Sequence, residues 1–158
     1  MIDQATIKSS LWESASEAFE TTVLLPIEEA GAPENELDVS QLLVGSITFT
    51  GNLQGAVNVH CHQDVGEKIA KSMLMAEEDE TLDDSEVLDA IGEVVNLVIG
   101  GMKSRIQDTV GDLDISIPTV LKGKNIKTVG RAKKEFVEVF AKTDGGELKI
   151  SAIYSEPK

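Results

Sequence analysis

The stretch that decides the fold is Asp89-Ala90-Ile91-Gly92-Glu93-Val94-Val95-Asn96-Leu97-Val98-Ile99-Gly100-Gly101-Met102-Lys103. Apolar residues recur within it every three or four positions, which is the spacing of a helix that lays one face on a core. With the preceding turn, the apolar stripe consists of Val87, Ile91, Val94, Val95, Val98 and Met102. The sequence therefore predicts a helix that is anchored on one side and open on the other.

The open side of this helix carries a carboxylate and a carboxamide. Glu93 and Asn96 are three residues apart, so they lie one turn from each other on the same face. Asp89, Gly100 and Lys103 fall on that face as well. Exposed Glu and Asn are common on solvated helices, so the pair alone indicates little, and Asp89 is interpreted as a surface charge.

Two glycines flank the polar patch. A glycine inside a helix costs roughly 1 kcal/mol relative to alanine, so Gly92 and Gly100 indicate that something approaches the backbone closely. Packing of another helix is the alternative interpretation.

The charge of the chain excludes several classes of partner. Its 158 residues include 28 acidic and 14 basic side chains, which gives a formal net charge of −14. Nucleic acids and anionic membranes require clustered Lys and Arg, so we expect neither as a partner. The acidic run over residues 77–84 is interpreted as a solvated loop and helix start.

Length and composition predict one soluble globular domain over residues 1–158, with a hydrophobic fraction of 41%. No apolar run approaches the about 18 residues of a membrane span, and the N-terminus lacks the features of a signal peptide. Cys61 is the single cysteine, which rules out an intrachain disulfide and is typical of a cytoplasmic protein. We therefore expect a cytoplasmic location.

The run His60-Cys61-His62 is not expected to bind a metal. Consecutive residues of a strand point to opposite faces, so the three side chains do not converge on one ion. A tetrahedral site also needs four ligands, and the chain has no other Cys or His.

Periodicity predicts most of the other elements of the first half. Residues 4–23 form a helix that ends before Pro26, and residues 26–38 form a loop. Residues 42–50 and 56–61 alternate like strands and make a hairpin. A second helix begins at Gln63–Asp64, and its inward residues are Val65, Ile69, Met73 and Leu74.

The second half continues with the long helix, capped by Asp84 or Ser85 and running to about Ile106. A strand over residues 113–121 contains Pro118, which indicates a sheet edge or a bulge. Strands over 136–142 and 148–154 make another hairpin. This order predicts an α+β fold in which helices pack on a largely antiparallel sheet.

Several motifs in order give the chain a family resemblance. The hairpin Phe49-Thr50-Gly51-Asn52-Leu53-Gln54-Gly55-Ala56-Val57 comes first, and the helix core Gly92-Glu93-Val94-Val95-Asn96-Leu97-Val98-Ile99-Gly100 follows. Next comes the strand Ser116-Ile117-Pro118-Thr119-Val120. From about residue 7 to 154, the chain resembles the CheC/CheX/FliY family of chemotaxis phosphatases, and its CheX branch most.

The resemblance implies a reaction and roles for the two polar residues. The substrate would be the phospho-aspartate of a CheY-type response regulator receiver domain, and the reaction its hydrolysis. By this implication Asn96 orients the attacking water and Glu93 anchors a lysine of the receiver. The chain would need no cofactor of its own, and Mg²⁺ would be bound by the receiver.

The resemblance also bears on assembly and regulation. One Glu-x-x-Asn helix favours the CheX-like branch, whose members pair through their sheets into homodimers. The alternatives are a non-catalytic receiver-binding or dimerisation module of the same fold, and a CheC-like phosphatase that needs an activating partner. Because a receiver site is acidic, we expect Lys103 and Arg105 to supply local positive charge.

Overall fold

The computed structural model of the chain describes residues 2–32, 42–123, 134–143 and 146–157. Within them, the helices are α1 (Gln4–Ala18, continued by a π-helical turn over Phe19–Val23), α2 (Gln63–Leu74) and α3 (Asp84–Val110). The strands are β1 (Ile27–Ala30), β2 (Leu42–Gly51), β3 (Gln54–His62), β4 (Leu113–Ile115), β5 (Thr119–Gly123), β6 (Glu135–Thr143) and β7 (Gly146–Ser155). None of the helices in this part of the chain is long and apolar enough to cross a membrane.

The described strands form a single antiparallel sheet in the order β1-β6-β7-β3-β2-β4. β4 and β5 share the outer edge of β2, with β4 against residues 49–51 and β5 against residues 42–46. Residues 116–118 separate these two short strands. The predicted strand break at Pro118 and its edge position are thus confirmed, because proline has no N–H to offer a ladder.

All three helices pack on one face of the sheet. Alternate strand residues such as Leu43, Ile47 and Val57 are fully buried beneath them. The whole predicted apolar stripe of α3 is buried, at no more than 2% exposure for any of its six residues. The predicted α+β layout, with helices on an antiparallel sheet, is confirmed.

The start of α3 is defined by its cap. Asp83 is the N-cap residue, and the Glu86 carboxylate accepts the backbone N–H of Asp83 at 3.1 Å, which closes a capping box. The predicted cap at Asp84 or Ser85 is wrong by one residue. The predicted end near Ile106 is also wrong, since the helix continues to Val110.

Two further predictions in the first half are corrected. Residues 27–30, expected in a loop, form the edge strand β1, which pairs with β6 and exposes Glu28 and Glu29. Leu74, expected to point inward, is 52% exposed because α2 ends there and Met75 turns into the left-handed region at φ 55°. Within the second hairpin, residues 144–145 lie outside the described residues.

Candidate active site

The middle of α3 presents the predicted pair to solvent. Glu93 and Asn96 are exposed, while Val94 and Val95 between them are completely buried. Cβ atoms three residues apart on a helix are roughly 5–6 Å from each other, so a single partner can contact both groups. The prediction that they share the open face is confirmed.

The pair lines a groove of about 570 Å³ between α3 and the segment that joins β4 to β5. Two carboxylates, one amide and one hydroxyl reach it, together with apolar side chains on its rim. Its lining residues are Leu88, Asp89, Gly92, Glu93, Asn96, Ser116, Ile117, Pro118 and Val120. Asp89, interpreted from the sequence as a mere surface charge, is therefore part of this site.

The wall of the groove opposite α3, residues 116–118, is hydrogen-bonded to strand β2 of the sheet. The backbone N–H of Thr48 donates to Ser116 Oγ at 3.0 Å, and the N–H of Ser116 donates to the Thr48 carbonyl at 3.0 Å. Pro118 then fixes its own φ, and β5 resumes pairing where Thr119 meets Ser46. The groove therefore lies between this hydrogen-bonded segment on one side and α3 on the other.

The glycines of α3 have different roles. A Cβ on Gly92 would lie 3.4 Å from Val120 Cγ2 and 3.6 Å from Pro118 Cγ, which are ordinary van der Waals distances, so the opposite wall of the groove faces Gly92 without requiring a glycine there. A Cβ on Gly100 would meet no described atom within 4 Å, so the close approach predicted at that glycine is wrong. Gly101, in contrast, faces Ser14 of α1, whose Cβ would lie 2.8 Å from an added methyl group.

The charge of the groove is negative. Asp89 and Glu93 line it, and no described Lys or Arg does. The expectation that Lys103 and Arg105 serve the site is wrong. Lys103 is paired with Asp112 at 2.9 Å, which lowers the pKa of that carboxyl through a hydrogen bond and charge.

Arg105 is also occupied within the chain. Its guanidinium pairs with Glu17 and lies 3.4 Å from Glu13, both on α1. It ties α1 to α3 rather than lining the groove. Neither Lys103 nor Arg105 therefore adds positive charge to the groove.

Both predicted site residues are available for such a partner. In the described ranges, the side chains of Glu93 and Asn96 make no hydrogen bond or ion pair. An exposed acid and amide that are not used to stabilise their own helix can bind a cation and a water molecule respectively.

The remaining reactive side chains lie elsewhere. Burial raises the pKa of the Cys61 thiol to about 12, and burial together with the Lys149 charge lowers the pKa of His60 to about 4. Neither lines the groove, and no group of three or more described His, Cys, Asp and Glu side chains could hold a metal ion. Within the described residues, the groove therefore offers carboxylate, amide and hydroxyl groups but no thiol or imidazole.

The sequence prediction missed the second wall of the site. Ser116, Ile117 and Pro118 belonged to the family motif but were not assigned to the site. The available signal was an isoleucine next to a strand-breaking proline, which places an apolar side chain outside a regular strand.

The sequence of the chain matches the family model described as "Chemotaxis phosphatase CheX" over residues 43–142. The chain belongs to the CheX family. This confirms the resemblance and its phosphatase class. The chain is also similar to the Thermotoga maritima protein named "CheY-P phosphatase CheX", with 28% identity over 112 residues, 70% of this chain and 72% of that protein.

Solved structures show the same fold. The CheX protein of Vibrio vulnificus aligns with a TM-score of 0.81 and 20% identity, covering 98% of this chain and 100% of that one. The CheX of a CheX-CheY-BeF₃-Mg²⁺ complex from Borrelia burgdorferi aligns with a TM-score of 0.76 and 18% identity, covering 99% and 100%.

Proposed function

We propose that this CheX-family chain hydrolyses the phospho-aspartate of a CheY-type receiver domain in chemotaxis or another two-component pathway. The observation that carries the proposal is the pair Glu93 and Asn96, which is exposed side by side in one groove and makes no hydrogen bond or ion pair within the described part of the chain. The Thermotoga relative, named a CheY-P phosphatase, and the Borrelia CheX, solved in complex with CheY, support it.

The charge of the groove favours a protein substrate over a free phosphate ester. Asp89 and Glu93 would repel a phosphate group that arrived alone, and no described cation in the groove offsets them. A receiver domain would bring the phosphoryl group together with Mg²⁺ and a lysine. In this proposal the receiver therefore supplies the catalytic ions.

In this reaction a water oxygen attacks the phosphorus atom, and the bond between phosphorus and the aspartate oxygen breaks. The products are inorganic phosphate and a free aspartate carboxylate. Positioning and electrostatics supply most of the catalysis in phosphoryl transfer. Asn96 suits the positioning of the water, because its amide accepts one hydrogen bond, donates another and carries no charge to repel the phosphoryl oxygens.

Glu93 has a separate role in the proposal. One turn from Asn96, its carboxylate pairs with the receiver lysine and sets the register in which the amide reaches the phosphoryl group. A charge-assisted hydrogen bond of this kind is roughly twice as strong as a neutral one. Glu93 is thus a docking group rather than a general base.

The test follows the decay of a phosphorylated CheY-type receiver with the protein at substoichiometric concentration. We expect acceleration by the wild type and its loss in Asn96→Ala. Gln107→Ala is the matched control, since it removes an exposed amide from the same helix outside the groove and should leave the rate unchanged.

The opposite result favours the non-catalytic module. If the wild type binds the receivers of its own organism and accelerates the decay of none, the phosphatase proposal fails. If Asn96→Ala is as active as the wild type, the role of Asn96 fails while the activity stands.

We further propose a cytoplasmic homodimer that pairs through the sheet. The face of the sheet opposite the helices carries the exposed side chains of Phe136 and Leu121, at 45% and 54%. No described helix packs on that face. Sedimentation velocity across a concentration series measures the mass, and a monomer at every concentration contradicts the proposal.

A further inference from the structure

One large apolar side chain that lines the groove is exposed to solvent. Ile117 is 86% exposed, whereas Leu88 and Val120 of the same groove are half-buried. The other large apolar side chains that the described residues expose lie outside the groove, namely Leu24, Leu74, Met75, Leu121 and Phe136. Ile117 therefore combines exposure with a place beside Glu93 and Asn96.

The backbone presents Ile117 in a defined position. Ser116 on one side is hydrogen-bonded to Thr48 through both its hydroxyl and its N–H. Pro118 on the other side fixes its own φ and packs over Gly92. Because the backbone on both sides is already held, little conformational entropy is lost when a partner covers the Ile117 side chain. A small entropic cost favours binding.

The charges of the two proteins explain why an apolar contact is needed at this site. The chain has a net charge of −14, the groove is lined by carboxylates, and a receiver's phosphorylation site is itself acidic. Long-range attraction therefore does not bring the two proteins together, and one lysine opposite Glu93 is a limited source of affinity. Burial of apolar surface is independent of the sign of charge.

We propose that Ile117 is the apolar docking residue of this site: it inserts into an apolar depression beside the phosphorylated aspartate of the receiver and contributes to binding before and during the reaction alike. The inference rests on the proposed function and adds the surface that the partner must offer. That surface has an apolar hollow next to a lysine, and Ile117 itself touches no reacting atom.

The test compares Ile117→Ser with Ile117→Leu in steady-state dephosphorylation of the receiver. We expect Ile117→Ser to raise KM by roughly 10-fold or more, as for a central interface residue, with kcat changed less than about twofold. Ile117→Leu keeps the apolar volume and should stay near the wild type. Circular dichroism checks that both variants fold.

Leu74→Ser is the matched control. Leu74 is 52% exposed at the end of α2, lies outside the groove and is not part of the sheet face proposed for the dimer. Its substitution should leave KM unchanged. A parallel measurement of Kd for the receiver charged with beryllofluoride and Mg²⁺ reads docking without turnover, and we expect the same order of variants.

The outcomes separate the two proposals. If the wild type is active and Ile117→Ser has the KM and Kd of the wild type, the docking role is overturned and the phosphatase stands. If the wild type binds without turnover and Ile117→Ser weakens binding, the docking role stands and the phosphatase falls. If the wild type neither binds nor turns over any receiver of its organism, both fall.

Discussion

Truncation of Glu93 and truncation of Asn96 are expected to affect different kinetic constants. In the proposed reaction Asn96 would hold the attacking water, so its loss would affect the step that follows binding. Glu93 would hold a cation of the partner, so its loss would affect the bound state and the transition state alike. Interactions made equally in both states appear in KM, and those made only in the transition state appear in kcat.

We predict that Glu93→Ala raises KM for the phosphorylated receiver and lowers kcat less. Loss of a charged hydrogen bond that becomes desolvated costs about 1–3 kcal/mol, which is roughly 5- to 150-fold in KM. Steady-state kinetics measures it, and Glu86→Ala, at a cap residue outside the groove, is the control. A Glu93→Ala variant with the KM of the wild type contradicts the anchoring role.

The sequence was informative about residues whose neighbours are local. The spacing of Glu93 and Asn96 on one helix predicted their common face, and the buried Val94 and Val95 confirm it. The expected role of Arg105 was wrong because its partners Glu13 and Glu17 are about 90 positions away in the chain. Spacing along a sequence does not reveal such pairs, nor the wall formed by Ser116–Pro118.

Two adjacent glycines of α3, Gly100 and Gly101, differ in what an added methyl group would contact. We predict that Gly100→Ala stabilises the protein by about 0.5–1 kcal/mol, because an added methyl group there meets nothing and alanine favours a helix. Gly101→Ala should destabilise it by roughly 1–2 kcal/mol, because the methyl group meets the Ser14 Cβ at 2.8 Å.

Urea unfolding of the two single variants measures this pair of effects. They serve as each other's control, since both make the same chemical change on the same helix one residue apart. Equal shifts of the unfolding free energy would contradict the account of α1 packing on Gly101.

The elements with a clear apolar periodicity were predictable from the sequence. α1, α2 and the strands β2, β3, β6 and β7 lie where the sequence predicted them, whereas α3 was predicted as a helix but with both ends misplaced. β1 was missed because an edge strand of four residues with Glu28 and Glu29 exposed has no apolar alternation. Its backbone pairing with β6 decides its conformation, and that contact spans more than 100 residues.

On the scale of the whole molecule, one buried histidine couples stability to pH. Burial, helped by the Lys149 charge, lowers the pKa of His60 to about 4 from 6.5, and its Nδ1 has no hydrogen-bond partner among the described residues. The folded protein holds this ring neutral, whereas the unfolded chain protonates it below about pH 6.5. Stability is therefore greatest above that pH and falls as the pH drops towards 4.

We predict that the unfolding free energy falls by roughly 2 kcal/mol from pH 7 to pH 5 because of His60. The measurement is urea unfolding at both pH values for the wild type and His60→Gln. The variant should lose most of the fall, while His62→Gln, at the half-exposed histidine, should retain it. A His60→Gln variant with the full pH dependence would show that the fall arises elsewhere.

Asn96 is the residue on which the proposed catalysis depends. A turnover experiment counts the phosphorylated receiver molecules that each protein molecule dephosphorylates, for the wild type and Asn96→Ala, and measures the Kd of each for the beryllofluoride-charged receiver. We expect many turnovers for the wild type, none for Asn96→Ala, and similar Kd values. Equal turnover by the two proteins, or no turnover by a wild type that binds, would contradict this expectation.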